Sequence, residues 1–258
     1  MKSVPAITST LLFLLPFSIF AGEPFSSYST KQSAAAYTAE SESPVSFELS
    51  TGWDSRYVTE GIDNLDGGGI WTAEGVVEYA FESFSVYAGS WYALGYDSDY
   101  DEVNLFSGVA ASIGNFDFDL GYTYLNFPED DEEDHEVGAS VEYAGLEILT
   151  VGAEWYYSFE ADGSFLNFFA GREFELTERL TVGAGANLGL NSGYIAEGHD
   201  GFNHLYLGLS SEYALTERVS LNGHAGYNFA IDSDPENAPD DEFLSDFFYG
   251  GVGVTVGF

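Results

Sequence analysis

One pair of neighbouring segments carries the residue types of a hydrolytic triad. If residues 216–218 form a tight turn, Ser210 pairs opposite His224 and Glu212 pairs opposite Asn222. A serine, a histidine and a carboxylate on adjacent strands could activate a nucleophile. No nucleophile-elbow motif surrounds Ser210, so ordinary polar pairing is the favoured interpretation. We therefore predict no catalytic residues and no enzymatic activity.

Carboxylates are by far the commonest charged groups in the chain. Its 258 residues include 43 Asp and Glu against 6 Lys and Arg, which gives a formal net charge of -37 at pH 7. So few cations cannot neutralise a phosphate backbone, and nucleic acid is excluded as a partner. The absence of cysteine excludes disulfides, a lipidated cysteine, thiolate chemistry and cysteine-ligated zinc.

Three acidic runs, residues 97–102, 128–136 and 232–236, offer oxygen ligands suited to calcium or magnesium. None has the spacing of an EF-hand, and no two histidines have metal-ligand spacing. We therefore expect a solvated acidic surface without a defined metal site or cofactor. Diffuse binding of Ca²⁺ or Mg²⁺ fits the same residues.

The segments that position these groups alternate with a period of two residues. In residues 116–124 the polar face consists of Asp, Gly and Thr, and the apolar face carries Phe116, Phe118, Leu120, Tyr122 and Tyr124. Residues 248–258 alternate in the same way and end on Phe258. This alternation is typical of a strand with lipid on one side and a polar lumen on the other. The terminal Phe258 resembles the signature that the barrel assembly machinery reads.

About twelve such segments occur between residues 45 and 258, and they start near Val45, Ile70, Phe84, Val103, Phe116, His135, Glu147, Phe165, Leu180, Phe202, Val219 and Phe247. Tight turns alternate with longer acidic or glycine-rich loops, which is the asymmetry of outer-membrane barrels. We predict an all-β protein, a single antiparallel transmembrane β-barrel of about twelve strands with up-and-down topology. An even strand count places both termini on the short-turn, periplasmic side of the outer membrane.

The N-terminal 44 residues lack this alternation. Residues 1–21 contain Lys2 and a short apolar stretch, which predicts a secretory signal peptide. Residues 22–44 are rich in Ser, Ala, Thr and Glu, which predicts a flexible periplasmic lead-in.

Strand parity divides the side chains into a lipid face and a lumen face. On the first strand Phe47, Leu49, Thr51, Trp53 and Tyr57 are expected to face lipid. The expected lumen residues are Glu48, Asp54, Arg56, Glu60, Glu74, Glu78, Asp117, Asp119, Glu142, Glu154, Glu212 and His224. Rings of carboxylates in a pore favour cations over anions. The alternative is that these carboxylates pair through water or with Arg56 in a filled lumen.

Arg172 does not fit the parity of its segment, because it falls on the apolar face between Phe168 and Phe174. Either it extends towards the periplasmic headgroups or a bulge turns it inward.

The stretch from Leu49 to Ile62 resembles the opening of the Gcw_chp family of bacterial outer-membrane proteins of unknown function. That family typically has Ser-x-Tyr-Val-x-Arg-Gly-Ile, and the matching positions here are Ser55, Tyr57, Val58, Gly61 and Ile62. Glu60 stands where the family usually has Arg. The segments Ser85–Trp91 and Phe118–Pro128 also resemble this family. The resemblance implies an outer-membrane barrel and no known reaction.

Together these features predict a porin-like channel for small solutes with a preference for cations, in contact with outer-membrane lipids. Three alternatives stay open. The first is a noncatalytic envelope or adhesion protein that acts through its acidic external loops. The second is a membrane-embedded hydrolase that uses Ser210 and His224, and the third is a soluble periplasmic β-sandwich.

Overall fold

The computed structural model describes residues 43–96 and 98–258. The strands in this part of the chain are β1 (Val45–Asp54), β2 (Val58–Thr59), β3 (Ile62–Asp63), β4 (Ile70–Ala80), β5 (Ser85–Gly95), β6 (Asp101–Ile113), β7 (Phe116–Phe127), β8 (Glu132–Tyr143), β9 (Thr150–Ser158), β10 (Gly163–Thr177), β11 (Leu180–Ser192), β12 (Gly201–Ala214), β13 (Val219–Ala230) and β14 (Phe247–Gly257). A short 3-10 turn spans Pro239–Glu242. The predicted signal peptide, residues 1–21, and most of the predicted lead-in, residues 22–44, lie outside the described residues.

Within those residues, twelve antiparallel strands form a closed barrel, in which each strand pairs with its neighbours along the chain and β14 returns to pair with β1. Only β2 and β3 stand apart, as a two-stranded sheet of their own. The predicted all-β barrel with up-and-down topology is therefore confirmed, and the β-sandwich alternative is wrong. Among residues 43–96 and 98–258, no helix is long and apolar enough to cross a membrane.

The two faces of the barrel wall differ in the way that the alternation predicts. Leu120 on β7 is 63% exposed on the outside, whereas the next residues inward, Gly121 and Thr123, are buried. Large apolar side chains cover the outer surface, and aromatic ones such as Phe47, Trp71 and Phe248 lie near the strand ends. An apolar band with aromatic side chains at its borders suits a bilayer with two polar interfaces.

The two ends of the barrel differ in the length of their connections. The short-turn end has residues 81–84, 114–115, 144–149, 178–179 and 215–218, and the long-loop end has residues 55–69, 96–100, 128–131, 159–162, 193–200 and 231–246. Strand β1 begins and β14 ends at the short-turn end, where Phe258 N donates to Phe47 O at 2.9 Å. The predicted loop over residues 128–136 is shorter than expected, because β8 already begins at Glu132. His135, near which a strand was predicted to start, lies on β8, and its Nδ1 is 2.6 Å from Tyr122 Oη.

Arg172 lies on the outer face of β10 and is exposed. Its Nη1 donates to Ile148 O in the 144–149 turn at 3.0 Å, and its guanidinium lies 5.1 Å from the centre of the Phe174 ring. The only register shift between β10 and β11 falls at Glu175 and Thr177, so no bulge turns Arg172 inward. Of the two alternatives, extension towards the polar interface is the one that the structure adopts.

Leu120→Arg is expected to destabilise the barrel by about 2–4 kcal/mol, because it places a charge on the lipid face. Reversible urea unfolding of the protein in lipid vesicles measures the loss. The control is Ser210→Arg, which introduces the same side chain on the inner face of β12 beside Glu212 and is expected to cost far less. Equal losses for the two variants would contradict the assignment of the faces.

Candidate functional site

The interior of the barrel contains a hairpin that the sequence pattern did not predict. Residues 55–69, which we call the inserted hairpin, leave the wall after β1 and fold inward as β2 and β3. Its two turn residues, Glu60 and Gly61, have φ values of +48° and +76°. A two-residue turn with both residues in the left-handed region matches the twist of a hairpin, and glycine takes the second position without strain.

The tip of the inserted hairpin contacts the wall formed by β9, β12 and β13. Tyr156 Oη donates to Glu60 Oε1 at 2.8 Å, and Asn228 Nδ2 donates to Gly61 O at 2.9 Å. A Cβ atom at Gly61 would lie 2.5 Å from the His204 ring, so any larger residue would have to push the tip away from the wall. Ile62 also forms an antiparallel bridge with Leu244 in the 231–246 loop.

The start of the inserted hairpin is held by a different part of the wall, on β4, β5 and β6. Tyr57 packs against Ile70 and Ala93 and donates its hydroxyl to Glu102 Oε2 at 2.5 Å. Burial, together with the negative charge of Glu102, raises the pKa of the Tyr57 phenol well above its ordinary value. Tyr57 therefore stays a neutral donor, and its predicted place on the lipid face is wrong. The reason is that β1 ends at Asp54, after which strand parity no longer applies.

Arg56 and Glu60 lie inside the barrel, although not on the wall of the first strand where parity placed them. Arg56 forms an ion pair with Asp63 of the same hairpin, and its guanidinium lies 5.1 Å from the centre of the Phe247 ring. Asp63 also accepts the backbone N–H of Gly67 at 2.8 Å. The ion pair of Arg56 therefore lies within the inserted hairpin and does not involve a carboxylate of the barrel wall.

Around the inserted hairpin the inner wall is densely filled. Tyr156, Phe165, Tyr206 and Asn228 are each no more than 2% exposed. Several buried polar atoms in this half of the barrel have no hydrogen-bond partner among the described residues, namely Asn167 Nδ2 and Oδ1, Asn187 Oδ1 and Thr123 Oγ1. Such groups are costly to bury without a partner. The filled region therefore contains polar groups that would gain hydrogen bonds from water.

The opposite half of the interior is acidic. Seven inward carboxylates lie on six strands towards the short-turn end of the barrel, and we call them the acidic vestibule: Glu48, Glu78, Asp117, Asp119, Glu142, Glu173 and Glu212. Glu74 and Glu154 lie on the same inner face and are not counted in this group. In the part of the chain that the structure describes, no Lys or Arg lies on the inner face of a barrel strand, because Arg172 faces outward and Arg179 and Arg218 lie in short turns.

Like charges interact with one another in the acidic half of the interior. Glu173 interacts electrostatically with Glu212 and Glu142, and Glu74 interacts with Glu48. On the facing strands, Tyr87 Oη donates to Asp119 Oδ1 at 2.8 Å. Residues 43–96 and 98–258 contain no group of three or more His, Asp or Glu side chains arranged to hold a metal ion.

The proposed hydrolytic triad is not assembled. The predicted register is confirmed, since Ser210 pairs with His224 and Glu212 with Asn222. However, His224 Nε2 lies 2.9 Å from Asp54 Oδ1, so the imidazole is directed to β1. Among the described hydrogen bonds, none joins Ser210 to His224, and a nucleophile without its base is not activated.

Three interior carboxylates were missed in the sequence: Glu102, Glu136 and Glu173. Glu102 receives the hydroxyls of Tyr57 and Tyr100, each at 2.5 Å, and Glu136 receives the hydroxyl of Tyr194. Glu102 lies two residues before the buried Asn104, so it points to the same, inner side of β6. Glu173 is next to the outward Phe174, so strand alternation turns its side chain inward. Glu136 was hidden because it was assigned to a loop.

Two long loops are joined by a partly buried histidine–aspartate contact at the long-loop end. His199 Nδ1 lies 2.7 Å from Asp241 Oδ2, and Nε2 lies 2.9 Å from Phe202 O. Asp241 also accepts the backbone N–H groups of His199 and Asp234. Burial opposes charge on both side chains, but these hydrogen bonds and the mutual attraction outweigh it, so the pKa of His199 is raised and the pKa of Asp241 is lowered.

Comparison with known proteins identifies the fold. No protein-family model matches the chain, and no curated protein sequence matches it. The KdgM porin in complex with disordered oligogalacturonate is similar with a TM-score of 0.51 at 10% identity, over 83% of this chain and 99% of that chain. An outer-membrane channel from Pseudomonas putida F1 has a TM-score of 0.54 at 9% identity, over 85% of this chain and 97% of that chain.

The chain has the fold of an outer-membrane β-barrel channel. Identities of 9–10% establish this likeness of fold alone. It agrees with the closed twelve-strand barrel and its apolar outer surface, and it supports a location in the bacterial outer membrane.

The contact between the 193–200 and 231–246 loops is expected to weaken as the pH rises from 6 to 9. The raised pKa of His199 stabilises the docked loops fully below its unfolded value of about 6.5, and this stabilisation is lost as the pH rises through the higher folded value. The lowered pKa of Asp241 stabilises the docked loops above about pH 4, with loss at more acidic pH. Hydrogen exchange of the loop amides measures the loss of loop docking at high pH and at low pH.

The control for this experiment is His199→Gln, which retains hydrogen-bonding capacity but cannot be protonated. Its loop exchange, corrected for the intrinsic pH dependence, should not change between pH 6 and 9. A pH dependence identical to that of the unmodified protein would show that His199 is not the responsible group.

Proposed function

We propose that this protein is a noncatalytic, porin-like channel for small solutes that prefers cations. The observation that carries the proposal is the acidic vestibule, which contains carboxylates from six strands and, within the described residues, no Lys or Arg on the inner faces of those strands. The names of the similar structures, a porin and an outer-membrane channel, support the channel class. The solute and the charge preference rest on the residues of this chain.

The preference for cations arises because the carboxylates of the acidic vestibule give the interior a negative electrostatic potential. Glu48, Asp117, Glu142 and Glu212 approach the short-turn end from strands all round the wall. Walls of low dielectric constant concentrate such a field in the lumen, so cations accumulate and anions are repelled. The ion pair of Asp54 with His224 and the hairpin residues Arg56 and Glu60 lie on the long-loop side of this field.

Glu173→Gln together with Glu212→Gln is expected to lower the permeability ratio of potassium to chloride about fivefold, because it removes two neighbouring carboxylates from the acidic vestibule. The reversal potential in a planar bilayer with a KCl gradient measures this ratio. Glu129→Gln with Asp130→Asn makes the same charge change in the exposed 128–131 loop and should leave the ratio nearly unchanged.

An unmodified protein that shows no conductance in any state, or that prefers chloride, would refute the proposed function. Equal effects of the vestibule and loop variants would show that total charge, rather than the interior, determines the preference.

We further propose that the inserted hairpin obstructs the lumen and must move for solutes to pass. Twelve strands enclose more space than the eight-stranded barrels that side chains fill, but less than the large porins. The inserted hairpin takes up this space in the long-loop half, with Tyr57 held on one side and Glu60 on the other. The unpartnered Asn167, Asn187 and Thr123 would be hydrated when that half opens.

A disulfide between Ile62→Cys and Leu244→Cys tests this movement. The two residues form an antiparallel bridge, whose Cα separation of about 4.5–5.5 Å suits a disulfide. The chain has no other cysteine. We expect the oxidised double variant to conduct less than the same protein after reduction, while each single variant conducts equally in both conditions.

Equal conductance of the oxidised and reduced double variant, with the disulfide verified by mass spectrometry, would show that the inserted hairpin is a fixed element. A lower conductance after reduction would likewise contradict the proposed movement.

Other features of the chain are part of the same proposal. Residues 1–21 serve as a signal peptide, residues 22–44 as a lead-in, and residues 45–258 as the barrel, with both termini in the periplasm. Phe258, which pairs with Phe47 at the short-turn end, is recognised by the barrel assembly machinery, and the outer face binds outer-membrane lipids. No cofactor is needed, and the external acidic loops bind Ca²⁺ or Mg²⁺ only diffusely. Membership of the Gcw_chp family remains a prediction.

The second candidate function is a noncatalytic surface or adhesion protein. The docked 193–200 and 231–246 loops favour it, since Glu197 N donates to Asp240 Oδ2 and His199 to Asp241, which gives an ordered acidic surface. Replacing residues 232–238 by a short Gly-Ser linker separates the two functions. Loss of a surface phenotype with unchanged conductance would favour adhesion.

A further inference from the structure

The carboxylates of the acidic half form two groups, one on β4 to β7 and the other on β8 to β12. The first surrounds Tyr87 on β5, whose hydroxyl donates to Asp119 at 2.8 Å and which interacts electrostatically with Glu78 on β4, and also with Glu154 on β9, between the strands of the second group. The second surrounds Glu173 on β10, which interacts with Glu142 and Glu212 on β8 and β12. A ligand for the whole region therefore has to reach across several strands.

Two oxygen atoms of the first group have no partner although they are buried. Glu78 is 4% exposed, and neither its Oε2 nor Asp119 Oδ2 has a hydrogen-bond partner within residues 43–96 and 98–258. Ionised carboxylates are acceptors only, so these oxygens need a donor or a cation. The inner faces of the strands provide neither a Lys nor an Arg in the described part of the chain.

A single metal ion does not match this arrangement. No cluster of three or more ligating side chains occurs in the described residues, and the two groups lie on different strands. A ligand with two or more positive charges joined by a flexible spacer does match, because each charge can lie beside one group. Ammonium groups also provide the N–H donors that Glu78 Oε2 and Asp119 Oδ2 lack.

We propose that the acidic vestibule is a binding site for linear aliphatic polyamines, with one ammonium group beside Glu78 and Asp119 and another beside Glu173 and Glu212. The inserted hairpin fills the far half of the interior, so the ligand enters from the short-turn end. This inference rests on the proposed function in one respect, since it names the class of cation that the same acidic lumen selects.

Isothermal titration calorimetry with the folded full barrel in detergent micelles tests the site, with spermine, putrescine and Mg²⁺ as the three probes. Spermine is expected to bind at least about tenfold more tightly than putrescine, because a longer chain of charges reaches both groups. Asp119→Asn and, separately, Glu212→Gln are expected to weaken spermine binding about fivefold each. Glu129→Gln, the matched change in the exposed 128–131 loop, should leave it unchanged.

Each outcome of this experiment bears on the proposal. Equal affinity for spermine and putrescine, a tighter fit for Mg²⁺, or equal losses in Asp119→Asn and Glu129→Gln would overturn it. Heat-modifiable migration in gels establishes that each variant is folded, and Glu212→Gln provides an independent test if Asp119→Asn does not fold. Binding without conductance would refute the proposed channel alone, whereas a cation-selective channel that binds no spermine would refute the polyamine site alone.

Discussion

The closing pair of strands, β1 and β14, is the contact on which the rest of the structure depends. A strand edge exposed to lipid would leave its backbone N–H and C=O groups without partners, so only a closed sheet is stable there. In this pair Gly52 lies opposite Gly253, and Asp54 lies opposite Gly251. The glycines leave room on the inner face for the side chain of Asp54. Because β1 begins and β14 ends at the short-turn end, the short turns and these two ends of the described barrel share one side.

Closure around twelve strands creates an interior that the wall alone does not fill. The long-loop half is filled by the inserted hairpin, which is bound on opposite sides through Tyr57 with Glu102 and Glu60 with Tyr156. Both contacts join a tyrosine hydroxyl to a buried carboxylate, and such charge-assisted hydrogen bonds are among the stronger ones. The short-turn half contains no such segment among the described residues and keeps its carboxylates facing one another. In the channel that we propose, the two halves therefore have different roles: the first restricts the lumen and the second supplies its charge.

The sequence predicts those features of the structure that depend on neighbouring residues, and it fails for those that depend on residues far apart in the chain. The period of two residues is a property of the strand itself, so it gave the twelve barrel strands, the inward side of Glu48 and Glu78, and the register of Ser210 with His224. It failed at Tyr57, because parity is lost once β1 ends at Asp54. The Glu60-Gly61 pair indicates a turn, but no local signal states that the hairpin folds inward, since this depends on Tyr156, His204 and Asn228 far along the chain.

The acidic vestibule lowers the stability of the fold, and this suggests that its carboxylates serve a function. Glu173, Glu212 and Glu142 repel one another, and Glu78 has a buried oxygen without a partner, so uncharged residues at these positions would make the barrel more stable. The arrangement persists because the hydrogen-bonded wall holds the strands in place regardless of the repulsion. Polar groups that oppose stability and are fixed by a rigid scaffold are typical of functional sites. The repulsion between like charges lies on the inner face of the short-turn half, where a mobile cation would relieve it in the channel that we propose.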